Sequence, residues 1–416
     1  MVTFADLVAA KPSLWQVAAD DMLVVAKQSE RTSSNIHANG ISALQENWKD
    51  STGDIARGTL VEVANRLVNA GVLARGATSV LDVFQDAIDV AQRELTTAVA
   101  NAERAGLAVD GEGNITSAEG NFGFDTMLAF GRARRLIDDA VQAATQADIA
   151  CAQGLSTLTV DPNTITTIDA RIRQRDAVHQ GLAALRDQLP VGMLSGDVTA
   201  WWNSLTPQQQ TDMMRALPVD LMNLDGIPDE VKKTLSDDSS GYNPTKTVEW
   251  ALNNVNNTSI DVYGENGNCT TFVSHALLNG GLEQKLDEFG GIHNDENWGR
   301  APLADVISSY PGATHSDTWS AADLNRKFFL ENGGTEVPVS QARPGDIVYF
   351  NYADGGPDNG ESHHAAVVSA VLPNGEVLYT QHTSNEVNLS LQDRLPMVEL
   401  SEGQQAISIV RPKQTW

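Results

Sequence analysis

A cysteine preceded by a polar, glycine-rich loop and followed by an apolar helical pattern is the strongest chemical signal in the chain. Cys269 sits in Gly264-Glu-Asn-Gly-Asn-Cys-Thr-Thr-Phe-Val-Ser-His-Ala-Leu-Leu-Asn-Gly-Gly281. The spacing of Phe272, Val273, Ala276 and Leu277 predicts a helix that starts at or beside Cys269 and ends near Gly280. At a helix N-terminus the unpaired amides and the helix dipole favour thiolate over thiol, which is the condition a cysteine nucleophile needs.

Such a nucleophile requires a base that works near neutral pH, and histidine is the suitable side chain. Ser362-His-His364 opens an apolar run, Ala365 to Val371, that reads as a strand. His364 abuts the run directly, whereas His363 points to the opposite side of the strand, so His364 is the predicted base. A third polar group should orient the imidazole. Asn374-Gly375 predicts a hairpin that returns Tyr379-Thr-Gln-His-Thr-Ser-Asn385 beside His364. A two-residue turn places Gln381, Thr383 or Asn385 on the face of His364, and a three-residue loop places His382 there. The sequence leaves both open.

The elements that must hold these residues fall into two halves. Before residue 190 the pattern is helical. Val80, Phe84, Ala87, Ile88, Ala91, Leu95, Ala98 and Ala102 form one stripe between Ser79 and Ala105, and Ala133, Ile137, Ala140, Ala144, Ala147 and Cys151 form a second. A third runs from Ile165 to Leu189 after a start at Asp161-Pro162. Residues 1–190 are therefore expected to be an all-α antiparallel bundle. Cys151, on a buried stripe, reads as a small core residue. Asp110-Gly-Glu-Gly-Asn114 resembles the start of a calcium loop, but Ile115 replaces the needed glycine and Asn121 the needed glutamate, so it reads as a turn.

Residues 191–241 read as a connector. It contains a helix start with Thr206 as N-cap and Pro207 at the first helical position, a turn at Leu224-Asp-Gly-Ile-Pro228 and a flexible linker at Asp237-Asp-Ser-Ser-Gly241. From 242 to 416 one or two short helices give way to strands at 346–350, 365–371 and 377–380, the pattern of an α+β domain with an antiparallel sheet.

Composition narrows the function. The chain has 416 residues, with 28 basic against 54 acidic and a formal net charge of −26. That argues against a nucleic-acid partner and against docking on anionic lipid. Two cysteines exclude a disulfide framework. The first 25 residues lack the features of a cleaved secretory signal, and no apolar run approaches a membrane span.

From about Tyr242 to about Gln392 the sequence resembles the putative amidase domain family of the papain-like superfamily, related to bacterial cell-wall cysteine peptidases and amidases. The resemblance rests on Tyr242-Asn-Pro with Val248, Trp250 and Ala251, on Asn268-Cys-Thr-Thr-Phe-Val-Ser274 with Gly280-Gly281, and on Trp298. It continues through Thr318-Trp-Ser320, Gly333-Gly334, Pro344-Gly-Asp346, His364-Ala-Ala-Val-Val368 and Gln381-His-Thr383. It implies a papain-like fold, Cys269 as nucleophile, His364 as base and His382 as the orienting residue, with Gln381 and Asn385 as alternatives. The family commonly has Asp-Cys-Thr-Asn-Phe; here Asn268 precedes the cysteine and Thr271 replaces the asparagine, which implies a different substrate if those positions shape the cleft.

The N-terminal half resembles, more weakly, the helical Trp-X-Gly-type proteins exported by type VII (ESX) systems. Trp48-Lys-Asp50 stands where the Trp-X-Gly turn would be, and the usual Tyr-X-X-X-Asp/Glu signal is missing. That resemblance implies export without a cleaved signal, otherwise a cytoplasmic protein, with a helical secretion partner and an immunity protein.

The combined expectation is a cofactor-free, metal-free thiol hydrolase of an amide in a peptide or peptidoglycan-like substrate. Cys269 attacks, His364 moves the proton, and the amides at Cys269 with the Asn268 side chain hold the oxyanion. Two alternatives stand beside it. One is a zinc hydrolase built from His275, His293, His315, His363, His364 and His382, whose spacings match no known zinc motif. The other is a catalytically inactive secretion or interaction protein.

Overall fold

The computed structural model describes residues 1–117, 124–261, 267–286, 295–300, 315–353, 355–392, 394–395 and 404–416. It divides into two units, Met1–Gln210 and Thr211–Trp416, with the division inside the expected connector.

The first unit opens with α1 (Phe4–Ala9) and α2 (Pro12–Asn35), followed by a π-helical turn, Ile36–Ile41, and α3 (Ser42–Asn47). Next come α4 (Ser51–Arg104), a hairpin of β1 (Leu107–Val109) and β2 (Ile115–Ser117), α5 (Phe124–Leu158) and α6 (Thr167–Asp187). Then α7 (Ser195–Ser204) follows, and the division falls within α8 (Pro207–Ala216). Side-chain bonds fix the helix directions. Gln92 donates to the Leu7 carbonyl at 2.7 Å, Gln16 to Asp82 at 3.0 Å, and Ser33 to the Ala64 carbonyl at 3.1 Å. Numbers rise along α2 as they fall along α4, so the two are antiparallel. The predicted stripe from Val80 to Ala102 is buried on α4, and Cys151 is buried on α5. Gly154 lets α5 approach α4, because a Cβ there would lie 2.9 Å from Val80 Cγ2.

One expectation for this half is corrected. The third helix does not start at Asp161-Pro162: Asp161 Oδ1 accepts from the Asn163 amide in a turn, and a Thr166/Asp169 capping box starts α6. One helix, α4, also holds an 18-residue window with mean hydropathy 1.3, apolar enough by composition to span a membrane, but 72% of that window is buried inside the protein. The Asp110–Asn114 segment is the hairpin turn, with Asp110 Oδ1 accepting from the Glu112 and Asn114 amides. Asn121 lies outside the described residues. Thr206 caps α8 as predicted, accepting from the Gln209 amide, and the Gln209 side chain accepts from the Thr206 amide in return.

In the second unit α9 (Pro218–Asn223) and α10 (Asp229–Ser236) lead to α11 (Pro244–Asn254), α12 (Cys269–Asn279), α13 (Asp317–Ser320) and α14 (Ala322–Glu331). That is more helix than the one or two expected. The strands are β3 (Thr335–Val337), β4 (Ile347–Tyr352), β5 (Ser362–Val371), β6 (Val377–Gln381), β7 (Glu386–Ser390) and β8 (Gln405–Arg411). They form one antiparallel sheet in the order β3-β8-β4-β5-β6-β7.

The strand period of two divides this sheet between two cores. Ile347, Tyr349, Ala365 and Val367 join the core with α11, α12 and α14, while Val348, Phe350, Ala366 and Val368 join the core on the other face. Both faces are covered, which is why the central strands read as unbroken apolar runs.

Asp237–Gly241 is not a flexible linker. Ser240 accepts from the Gln414 amide at 2.8 Å and Asp237 pairs with Arg343 at 3.6 Å, so the segment is tied to the domain.

Candidate active site

Cys269 is the first residue of α12, and burial makes that helix a fixed platform. Phe272, Val273, Ala276 and Leu277 are fully buried, as predicted. Beneath them the Ser274 hydroxyl donates to the Trp319 carbonyl at 2.8 Å and accepts from Trp298 Nε1 at 3.1 Å. Asn325 donates to the Thr318 carbonyl at 2.6 Å and accepts from the Tyr349 hydroxyl at 2.5 Å. These satisfied polar groups key the helix to α13, α14 and β4. At its far end Asn243 donates its amide to the Gly280 carbonyl at 2.7 Å, and the Tyr242 hydroxyl donates to the Gly345 carbonyl at 3.2 Å.

Asn268 is the buried N-cap residue, and its side chain makes no capping bond to α12. The first-turn amides therefore keep their donor capacity toward the cysteine end. Burial pushes the Cys269 thiol up, but the His364 charge, a hydrogen bond to His364 and the Ala365 amide outweigh it and bring the thiol down to about 7. Cys151 shows the opposite case: burial and the nearby Asp148 charge push it up to about 12.

His364 reaches the cysteine from β5 and is held from behind by β6. Its Nε2 lies 2.9 Å from Gln381 Oε1. Gln381 Nε2 donates to the Ser384 carbonyl at 3.0 Å, which fixes the amide with its oxygen toward the imidazole. Nε2 therefore carries the proton, and Nδ1 is left as the basic nitrogen.

The hairpin explains why Gln381 has this position. Leu372 and Glu376 close a three-residue loop, Pro373-Asn374-Gly375, with Gly375 at φ +83°. From Val371↔Val377 an unbroken ladder would put His382 on the face of His364. The register shifts by one between Val368 and Ala370, and that bulge exchanges the faces. Gln381, an alternative in the sequence reading, is thus the partner of His364.

His382, the residue the resemblance favoured, is directed elsewhere. Its Nδ1 is 2.7 Å from the Val255 carbonyl, its Nε2 is 2.7 Å from Asp261 Oδ1, and its ring stacks on Phe272. The structure gives it no bond to His364, because it faces the helical layer. Asn385 accepts from the Thr383 amide at 2.9 Å and donates to Asn256 at 3.5 Å. His363 stacks on Tyr352 and contacts Gln405 Oε1 at 2.6 Å. His275 stacks on Trp250 and meets the edge of Trp319.

Among the described residues no three His, Cys, Asp or Glu side chains converge as a metal-ligand group, so the zinc alternative gains no ligand set; His293 lies outside them. Gly264, at the start of the expected pre-cysteine loop, lies outside them as well.

Cys269, His364 and Gln381 open into a cleft of about 310 Å³, which Phe350, Tyr379 and Arg394 also line. The Arg394 contribution and the Ser384 anchor of Gln381 were missed from sequence, where neither sits in a recognisable pattern. A thiol drawn toward neutral, an imidazole on the same cleft and an amide fixing that imidazole can together attack a carbonyl and shuttle a proton.

Residues 241–408 match the family model described as Putative amidase domain. No curated protein and no solved structure matches the chain. The match covers Cys269, His364 and Gln381 and supports an amide-bond hydrolase as the activity of the second unit.

Proposed function

We propose that the chain is a thiol amidase or peptidase of papain-like type, with Cys269 as nucleophile and His364 as general base and acid. The observation that carries this reading is the convergence on one cleft of Cys269, at the start of a buried helix, and His364, whose Nε2 is held by Gln381. In the reaction the Cys269 thiolate attacks the amide carbonyl. The first-turn amides of α12, joined by Asn268, hold the developing oxyanion. His364 then gives its proton to the leaving amine, and it later takes one from the water that clears the thioester. Gln381 keeps the imidazole in the tautomer that offers Nδ1 to the thiol.

The N-terminal unit is read as a helical leader for signal-independent export. Trp48 ends α3 and Asp50 caps α4, so Trp48-Lys-Asp50 forms a helix-to-helix turn. Export would bring the amidase to peptidoglycan stem peptides or to a competitor's proteins.

The test is mass spectrometry of purified peptidoglycan fragments and of a peptide-amide library incubated with wild type and with Cys269→Ala. Wild type is expected to cleave an amide, and the variant to lose roughly 10⁴-fold or more in rate. A fully active Cys269→Ala protein would overturn the mechanism.

A further inference from the structure

The second unit carries six arginines, and five of them are engaged. Arg215 donates to the Ala342 carbonyl, Arg326 to the Gly360 carbonyl, and Arg343 lies beside Asp237. Arg411 is bidentate on Asp346, and Arg300 is also partnered. Arg394 is different. Half-buried on the wall of the Cys269 cleft, it has no hydrogen-bond or ion-pair partner among the described residues.

Its surroundings sharpen the contrast. The chain carries a net charge of −26, so its general field repels anions. Yet no aspartate or glutamate is among the described residues that line this cleft; its polar walls are histidine, threonine, serine and glutamine, and its permanent charge is the Arg394 guanidinium. A guanidinium is a planar fork that binds a carboxylate through two parallel hydrogen bonds. With the cleft walls as low-dielectric boundaries, one cation among the described lining residues of this cleft focuses the field onto an incoming anion.

We propose that Arg394 is a specificity residue that binds a carboxylate of the substrate, so that the favoured substrates are amides in peptides with an acidic group close to the scissile bond. This rests on the thiol-amidase reading and deepens it by naming the substrate class. Arg394 positions the substrate and takes no part in bond breaking.

The full-length protein can be tested without knowing the natural substrate, because a thiol on this cleft can be offered a neutral and an anionic alkylating reagent of nearly the same size. The readout is the ratio of the iodoacetate rate to the iodoacetamide rate at Cys269, followed by mass spectrometry at pH 7 and low salt. Arg394→Gln is expected to lower that ratio about tenfold. Arg394→Lys should keep most of it, and 0.5 M salt should reduce the wild-type ratio toward that of Arg394→Gln. Lys413→Gln makes the same change in net charge at an exposed position outside the cleft and should leave the ratio as in wild type. An unchanged ratio in Arg394→Gln, or an equal fall in Lys413→Gln, overturns the proposal while the thiol-amidase reading stands. If iodoacetamide does not label Cys269 faster than Cys151, both readings fall.

Discussion

The reactivity of Cys269 depends on a balance between burial, which opposes a thiolate, and His364, which favours it. With the thiol at about 7, about half of it is ionised at pH 7, against about 1% for an ordinary cysteine near 9. The iodoacetamide rate at Cys269 is therefore expected to rise with pH around a midpoint near 7, while Cys151 stays inert up to pH 9. A midpoint near 9 would mean that the His364 bond does not act on the thiol. The pair also makes a sharper distinction between two neighbouring residues. Gln381→Ala should lower kcat about 10- to 100-fold with little change in melting temperature, since it frees the imidazole. His382→Ala should instead lower stability by about 2–4 kcal/mol, because it removes a buried ring bonded to Asp261 and Val255. Kinetics and thermal melts of the two variants, side by side, check this. That Cys269 starts a helix and that His364 opens a strand beside it was readable from residue type and spacing. Which β6 side chain bonds His364 was not, because a bulge between Val368 and Ala370 leaves no mark in the alternation of Ala365 to Val371, where both faces are apolar.

At the scale of elements, periodicity disclosed what is apolar and hid what is buried but polar. The α4 stripe was visible from Ser79 onward, yet the helix begins at Ser51, under an Asp50 cap. Between them the helix buries small and polar residues such as Gly71, Ala74 and Asn69, and Asn69 donates to the Pro162 and Ile165 carbonyls at 3.1 and 2.9 Å. Such contacts belong to the tertiary structure, so a hydrophobic count misses them. The Asp346 turn shows a similar limit. Pro344-Gly-Asp346 reads as a turn into a strand, but its carboxylate also ties the start of β4 to the end of β8 through a bidentate pair with Arg411, each oxygen at 2.9 Å. Asp346 is fully buried and Arg411 about a quarter exposed, so Asp346→Ala leaves a partly buried cation unpaired. We expect a loss of about 3 kcal/mol, read as a lower denaturation midpoint. In the bundle, desolvation and the Asp139 charge hold Glu94 up at about 8. A folded-state value raised above the ordinary 4.5 means that the folded form holds the proton more tightly. Its contribution is fully present below about 4.5 and is lost as pH rises to about 8, with a slope of up to ~1.4 kcal/mol per pH unit. Glu94→Gln should flatten the stability profile across that window; an unchanged profile would mean that Glu94 is as well hydrated as a surface carboxylate.

For the whole molecule, the cores show where the chain can be cut. The bundle core contains residues from Leu7 to Ala177, and the cores on the two faces of the sheet contain none before Val219. The two units therefore each bury their own apolar surface, the physical condition for folding alone. The family match begins at residue 241, but the second unit begins earlier, and the difference has energetic content. Val219 packs on the helical core, Arg215 donates to the Ala342 carbonyl, the Leu235 carbonyl accepts from Thr245, and Ser240 accepts from Gln414. A chain that starts at Thr211 keeps all of these; one that starts at Gly241 loses each and exposes the apolar surface that α9 and α10 cover. Thr211–Trp416 expressed alone is thus expected to melt cooperatively and to alkylate Cys269 at the full-length rate. Gly241–Trp416 should melt several degrees lower, since four lost contacts of up to about 1 kcal/mol each shift a domain of this size by that much. If Thr211–Trp416 folds but its Cys269 reacts as slowly as an ordinary thiol, the site depends on the bundle, and the N-terminal half would then be part of the active enzyme rather than a leader.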